Sequence, residues 1–264
     1  MNNSLDAYSK KNAEQSLIAR VLVAVGIDPP NTYWKKDVVM FFSRRIALFL
    51  KFLYPIALIV PVAASSIPPQ YGAAVIGIVA VMAGTFGAGE TLTTDLNDGI
   101  LARLAMTPRS PYRIVFEVLA INAALDFLQV LPALAIVYIL HPVSLVWMLA
   151  ASFAVFLTLV TANCIGIFIA NFTTSPADVL LYATAILFPL IYLSGFFRNR
   201  HPTGLLATLR DFIPFAYMND ALGKVFGMTT NFTPAEIFLY PTISCVVVVA
   251  AVCLTAPRLL SPRF

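Results

Sequence analysis

The sequence predicts an all-α polytopic membrane protein with six transmembrane helices, and three observations carry that prediction. Hydrophobic residues make up 59% of the 264 and charged residues 11%, whereas about a quarter of a soluble domain is charged. The mean hydropathy is +0.85. Apolar runs near or above the ~20 residues that cross a bilayer follow one another between short polar breaks. The net charge of +4 gathers in those breaks, which points to membrane flanks and not to nucleic acid.

Residues 1–45 are polar and basic, carrying Lys10, Lys11, Arg20, Lys35, Lys36, Arg44 and Arg45. No apolar run precedes them, so no secretory signal peptide is expected. Leu17–Val25 reads as a short amphipathic helix that Asp28-Pro29-Pro30 stops. Trp34–Phe42 sets Trp34, Val38, Phe41 and Phe42 at helical spacing, with Lys35, Lys36, Arg44 and Arg45 around them. That is the pattern of a helix lying in the membrane interface; a plain basic flank is the alternative.

A six-span domain is expected over 46–257, with a short tail at 258–264. The spans read as Ile46–Ser66, Tyr71–Gly89, Ile114–Leu140, Ser144–Ala170, Ala177–Phe197 and Ile237–Ala256. Lys51 lies close enough to one end of the first to snorkel. An even number of spans puts both termini on one side. The N-terminal segment, the 90–113 break and the tail hold twelve Lys/Arg, against Arg198, Arg200, Arg210 and Lys224 on the other side. The positive-inside rule then makes both termini and the 90–113 break cytoplasmic.

That break, Glu90–Arg113, carries Glu90, Asp95, Asp98, Arg103, Arg109 and Arg113, none of which sits cheaply in lipid. Leu96, Ile100, Leu101 and Leu104 suggest one apolar face of a short helix over roughly 95–106. Thr107-Pro108 ends it, because a residue before proline is pushed out of the α region. On the opposite side, Arg198–Glu236 is too apolar for a free loop. Phe212–Phe226, with Pro214 and Tyr217, reads as a short re-entrant or surface helix capping the outer mouth.

Few residues suggest chemistry. No G-x-x-x-x-G-K-[ST] phosphate loop occurs, so nucleotide is not expected to bind this chain through that motif. His141 and His201 stand apart and read as solvated loop residues. Cys164, Cys245 and Cys253 lie in apolar runs and read as small buried hydrophobes, not metal ligands or disulfides. Asn122, Asp126 and Gln129 form a polar stripe on the third span. An intramembrane carboxylate either lines a pathway or bonds one helix to another, and both readings stand; Asn163 has the same two. Ala80, Gly84 and Ala88 recur every four residues, a seam for close helix packing. Asn231-Phe232-Thr233 fits a glycosylation sequon.

Asp98-Gly99-Ile100-Leu101-Ala102-Arg103-Leu104-Ala105-Met106-Thr107-Pro108-Arg109-Ser110 resembles the "G-T-L-E-x-L-L-x-T-P-x-S" stretch of ABC-2 type transporter permeases, with Glu90 where they keep an acidic residue. Pro189–Phe197 is similar to their "P-x-x-x-L-S-G-x-F", and Leu209–Leu222, around Ile213-Pro214-Phe215-Ala216-Tyr217, to their "N-P-x-x-Y-x-x-x-A-L/R". The chain departs from these patterns at Ala102 and Ile213. The daunorubicin-type drug and lipid exporters are the subgroup it most resembles. The resemblance implies a dimer of permeases, identical or homologous, each bound to a separate cytoplasmic ATPase subunit that holds ATP and Mg²⁺. This chain would then carry no cofactor and no enzymatic activity of its own. It also implies that the helix within 92–107 (Leu96, Asp98, Gly99, Ile100, Arg103, Leu104, with Thr107 and Pro108) is a coupling helix, with the Trp34–Arg45 interfacial helix beside it.

Two other classes are weighed against this. Asp95-Leu96-Asn97-Asp98-Gly99-Ile100-Leu101-Ala102-Arg103 matches the first half of the CDP-alcohol phosphatidyltransferase signature, but Tyr112, Phe116 and Ala120 stand where the second half needs Gly and two metal-holding aspartates. An ion-coupled carrier would use Glu117, Asp126 and Asp178, yet no inverted repeat is visible.

Overall fold

The computed structural model describes residues 33–43, 45–65, 69–106, 110–141, 144–197, 204–226 and 235–259. The expected Leu17–Val25 helix, Thr107, Pro108, His201 and the Asn231 sequon lie outside them. The described residues form helices without strands: α1 (Tyr33–Ser43), α2 (Arg45–Ala64), α3 (Pro69–Asn97), α4 (Ile100–Ala105), α5 (Pro111–Leu140), α6 (Leu145–Ala170), α7 (Pro176–Leu193), α8 (Leu205–Asp211), α9 (Pro214–Val225), and a π-helical turn Ala235–Leu239 leading into α10 (Tyr240–Leu259). Among the described residues, five helices are long and apolar enough to cross a membrane, and the number reaches six if the pair 36–43 and 48–64 counts as one span.

The chain divides into two units, Met1–Leu48 and Phe49–Phe264. In the first, α1 carries a Lys36–Asp37 ion pair at 3.3 Å and an edge-to-face Phe41–Phe42 contact. Phe41 is buried and Phe42 is exposed, so the two do not share one face. The side chains of Trp34, Lys35, Arg44 and Arg45 lie outside the described residues.

In the second unit, α6 is the most enclosed span, and α7 and α10 are among the least. The reason is side-chain size. Ala150, Ala151, Ala154, Ala162, Gly166 and Ala170 run through α6 and are all buried, letting neighbouring backbones approach closely. Large apolar residues such as Leu181 and Phe188 on α7 and Val246 and Leu254 on α10 are exposed, as suits surfaces whose solvent is lipid. Helix starts follow local chemistry. Pro111, Pro176 and Pro214 open α5, α7 and α9 in the first turn, where the missing N–H costs nothing. Ser175 and Asp178 add a reciprocal capping box to α7.

Two expectations are corrected here. The helix of the second span does not end with its apolar segment at Gly89: α3 continues through Glu90 to Asn97, because no glycine or proline follows until Gly99. His141, though exposed, is not merely solvated, since its Nε2 meets the Ala63 carbonyl at 2.7 Å and ties the end of α5 to the end of α2.

Candidate functional site

The polar break forms an elbow of two helices, not the single helix expected over 95–106. Asp95, Leu96 and Asn97 belong to the end of α3. The chain then turns at Asp98-Gly99, with Gly99 at φ +67, a left-handed conformation that favours glycine. A separate six-residue helix, α4, follows. Leu96 therefore sits on a different helix from Ile100 and Leu104. Leu101 is buried, Ile100 and Leu104 are half-buried, and Met106 beyond α4 is exposed. Arg103 Nη2 donates back to the Asp98 carbonyl at 3.1 Å and closes the turn. Glu90 is exposed on α3. Of the half signature, Asp95 is on α3 and buried, whereas Asp98 lies just past the helix end and is exposed.

The end of α3 is fastened to the turn between α6 and α7. The Thr93 and Thr173 hydroxyls meet at 3.1 Å, both buried, and Asn97 Nδ2 donates to the Thr174 carbonyl at 2.9 Å.

Further along the bundle, the polar stripe of α5 faces protein. Asn122, Asp126 and Gln129 are all buried. Asn122 donates to the Val118 carbonyl of its own helix. Asn163 on α6 donates to Asp126 Oδ2 at 2.9 Å and to the Leu159 carbonyl at 2.8 Å. Both its N–H groups are thus used, which fixes which way the amide points. Sequence reasoning named Asn163 and Asp126 separately but had no signal for their pairing, 37 residues apart. It also missed Gly87 on α3, where a Cβ would come 3.1 Å from Asp126 Oδ1. The Ala80-Gly84-Ala88 seam does pack closely: Ala80 and Ala88 are fully buried, and a Cβ on Gly84 would lie 2.9 Å from that of Ala162.

Asp126→Leu should leave the Asn163 amide with a buried unpaired donor, at about 1–3 kcal/mol, whereas Asp126→Asn keeps an acceptor there. The expected result is a lower thermal midpoint in detergent for Leu than for Asn. Equal midpoints would mean that the bond holds nothing.

At the opposite end of the bundle, α9 is no surface helix. Phe215, Met218, Ala221 and Leu222 are fully buried, and the last two pack with α3, α5 and α6 residues such as Ile76, Leu134 and Val155. Pro214 starts α9, and Tyr217 Oη donates to the Asp211 carbonyl at 2.8 Å. Arg210, counted in the sequence among the charges on the outer side, is buried and paired with Asp220. The Leu193-Ser194-Gly195-Phe196 turn meets this end: Gly195 has φ +88, Asn219 donates to the Ser194 carbonyl at 3.4 Å, and the Phe196 ring fills the space over Gly77.

A bundle of helices long and apolar enough to cross a membrane defines a polytopic membrane protein. The profile of the ABC-2 type transporter family matches residues 31–226, and the chain belongs to that family. It is an integral membrane permease, and the family works in general with ABC ATPase subunits. Comparison with curated proteins gives no match.

Proposed function

We propose that this chain is the membrane-spanning subunit of an ATP-driven exporter of an amphipathic, lipid-like, glycan or drug-like substrate, and that α4 is where a separate ATPase subunit docks. The observation that carries this is the elbow: a short helix set off from α3 by Gly99, between two spans, with Ile100 and Leu104 half-buried. In this reading the ATPase holds ATP and Mg²⁺ and this chain performs no chemistry. α1 lies in the membrane interface, a second permease completes the transporter, and α9 closes the outer end. The Asn163–Asp126 bond favours a packing role for the α5 stripe over a pathway role. The partner ATPase, co-expressed with this chain, should co-purify with it in detergent; its consistent absence from the eluate would sink the reading.

The charge asymmetry supports a cytoplasmic side for the elbow and both termini, in the cell membrane. Ser110 and Ser144, exposed at the two ends of the bundle, test this. With the native cysteines replaced by alanine, an impermeant thiol reagent added to intact cells should label Ser144→Cys and spare Ser110→Cys. The reverse pattern would invert the topology.

A further inference from the structure

We infer that the turn between α6 and α7 is a second mechanical element of the coupling machinery: the Thr93–Thr173 and Asn97–Thr174 bonds clasp it to the end of α3, so that movement of the elbow is carried to α7. The inference rests on the reading of α4 as the docking helix.

Thr85, Gly89, Thr93 and Asn97 follow one another at four-residue steps and so share one face of α3. Thr85 meets α6, Gly89 meets both α6 and α7, and Thr93 and Asn97 meet the turn between them. Thr85 donates to the Ala162 carbonyl at 3.1 Å. Gly166 is so close that a Cβ there would stand 2.4 Å from the Thr85 carbonyl oxygen and 3.0 Å from the Gly89 nitrogen. A Cβ on Gly89 would meet Val179 of α7 at 2.6 Å. The hydroxyl pair and the Asn97 bond complete the row. The contact is backbone against backbone where Gly166 meets Thr85 and Gly89, and hydrogen-bonded at its end.

Two features make this a transmission element as well as a tidy turn. Asn97 is two residues from Gly99, where the elbow begins, so the clasp lies at the point where a push on α4 enters the bundle. Immediately after the clasp, the Ser175–Asp178 capping box fixes the first turn of α7 to the same turn. Beyond it α7 buries only the single row Val179, Ala183, Leu187 and Ile191, so it can follow its N-terminal end.

The test uses the permease–ATPase complex in detergent, with the native cysteines replaced by alanine. A bimane fluorophore is placed either at Met106→Cys, beside α4, or at Leu181→Cys, on the exposed face of α7. In the parent complex, ATP with vanadate should shift the emission of both. Removing the clasp with Thr93→Val, Thr173→Val and Asn97→Leu should leave the Met106 response intact and cut the Leu181 response about fivefold. Thr93→Ser with Thr173→Ser, which keeps both hydroxyls, should restore it. Asn97→Leu alone, on an exposed residue, should give a partial loss if the triple variant does not fold. An unchanged Leu181 response without the clasp overturns the inference, as does an equal loss in the serine variants or a parent complex in which only position 106 responds. A parent complex silent at position 106 would instead overturn the docking role of α4, and the inference with it.

Discussion

Leu104→Glu is expected to abolish co-purification with the ATPase subunit while the permease itself inserts, folds and elutes as the parent does. Leu104 is half-buried on a helix outside the spans, so a carboxylate there can reach water until a partner covers it. Once covered, it is desolvated without a counter-charge, at several kcal/mol, or roughly a hundredfold or more in affinity. The choice of position matters. Leu101, three residues earlier, is buried within this chain, and a charge there would disturb the permease and confuse the result. Leu145→Glu is the control, exposed at the far end of α6, and should bind the ATPase normally. Normal co-purification and normal transport with Leu104→Glu would remove α4 from the coupling role.

The spans were legible because lipid imposes a composition that no local rule can disguise, but their ends were not. Hydropathy reports where the membrane stops, whereas helices stop where the backbone is interrupted. That is why α3 outruns the apolar segment by eight residues, from Glu90 to Asn97, and breaks at Gly99. The same glycine divided the expected coupling helix, and Asn97-Asp98-Gly99 was a turn signal of the ordinary kind. Within the site, the α5 stripe was legible from its period, since side chains at helical spacing share a face whatever they touch. Its partner was not, because pairing across 37 residues depends on how helices cross. Arg210 was read only as an outer-side charge for a related reason: its partner Asp220 is brought to it by the fold. Signals that existed went unused on α6, where Ala154, Thr158, Ala162, Gly166 and Ala170 repeat every four residues and mirror the seam found on α3.

That mirror makes Gly166→Ala the most damaging glycine-to-alanine change expected among the described residues. Its Cβ would stand 2.4 Å from the Thr85 carbonyl oxygen and 3.0 Å from the Gly89 nitrogen, both backbone atoms in the middle of a helix, so no rotamer change can relieve the clash. The helices must separate instead. Separation lengthens the Thr85–Ala162 bond and loosens the dispersion contacts along the seam, which fall off within a fraction of an ångström. Overpacking costs about 1–3 kcal/mol, and one weakened buried hydrogen bond adds about 1 kcal/mol. Against this, alanine offers only its better helix propensity, just under ~1 kcal/mol. Gly72→Ala isolates that last term, because a Cβ at Gly72 meets nothing within 4 Å. In one detergent, Gly72→Ala should elute as a single species with the parent's thermal midpoint or slightly above it, while Gly166→Ala should aggregate or melt well below it. If the two variants behaved alike, α3 and α6 could not be in backbone contact at this crossing.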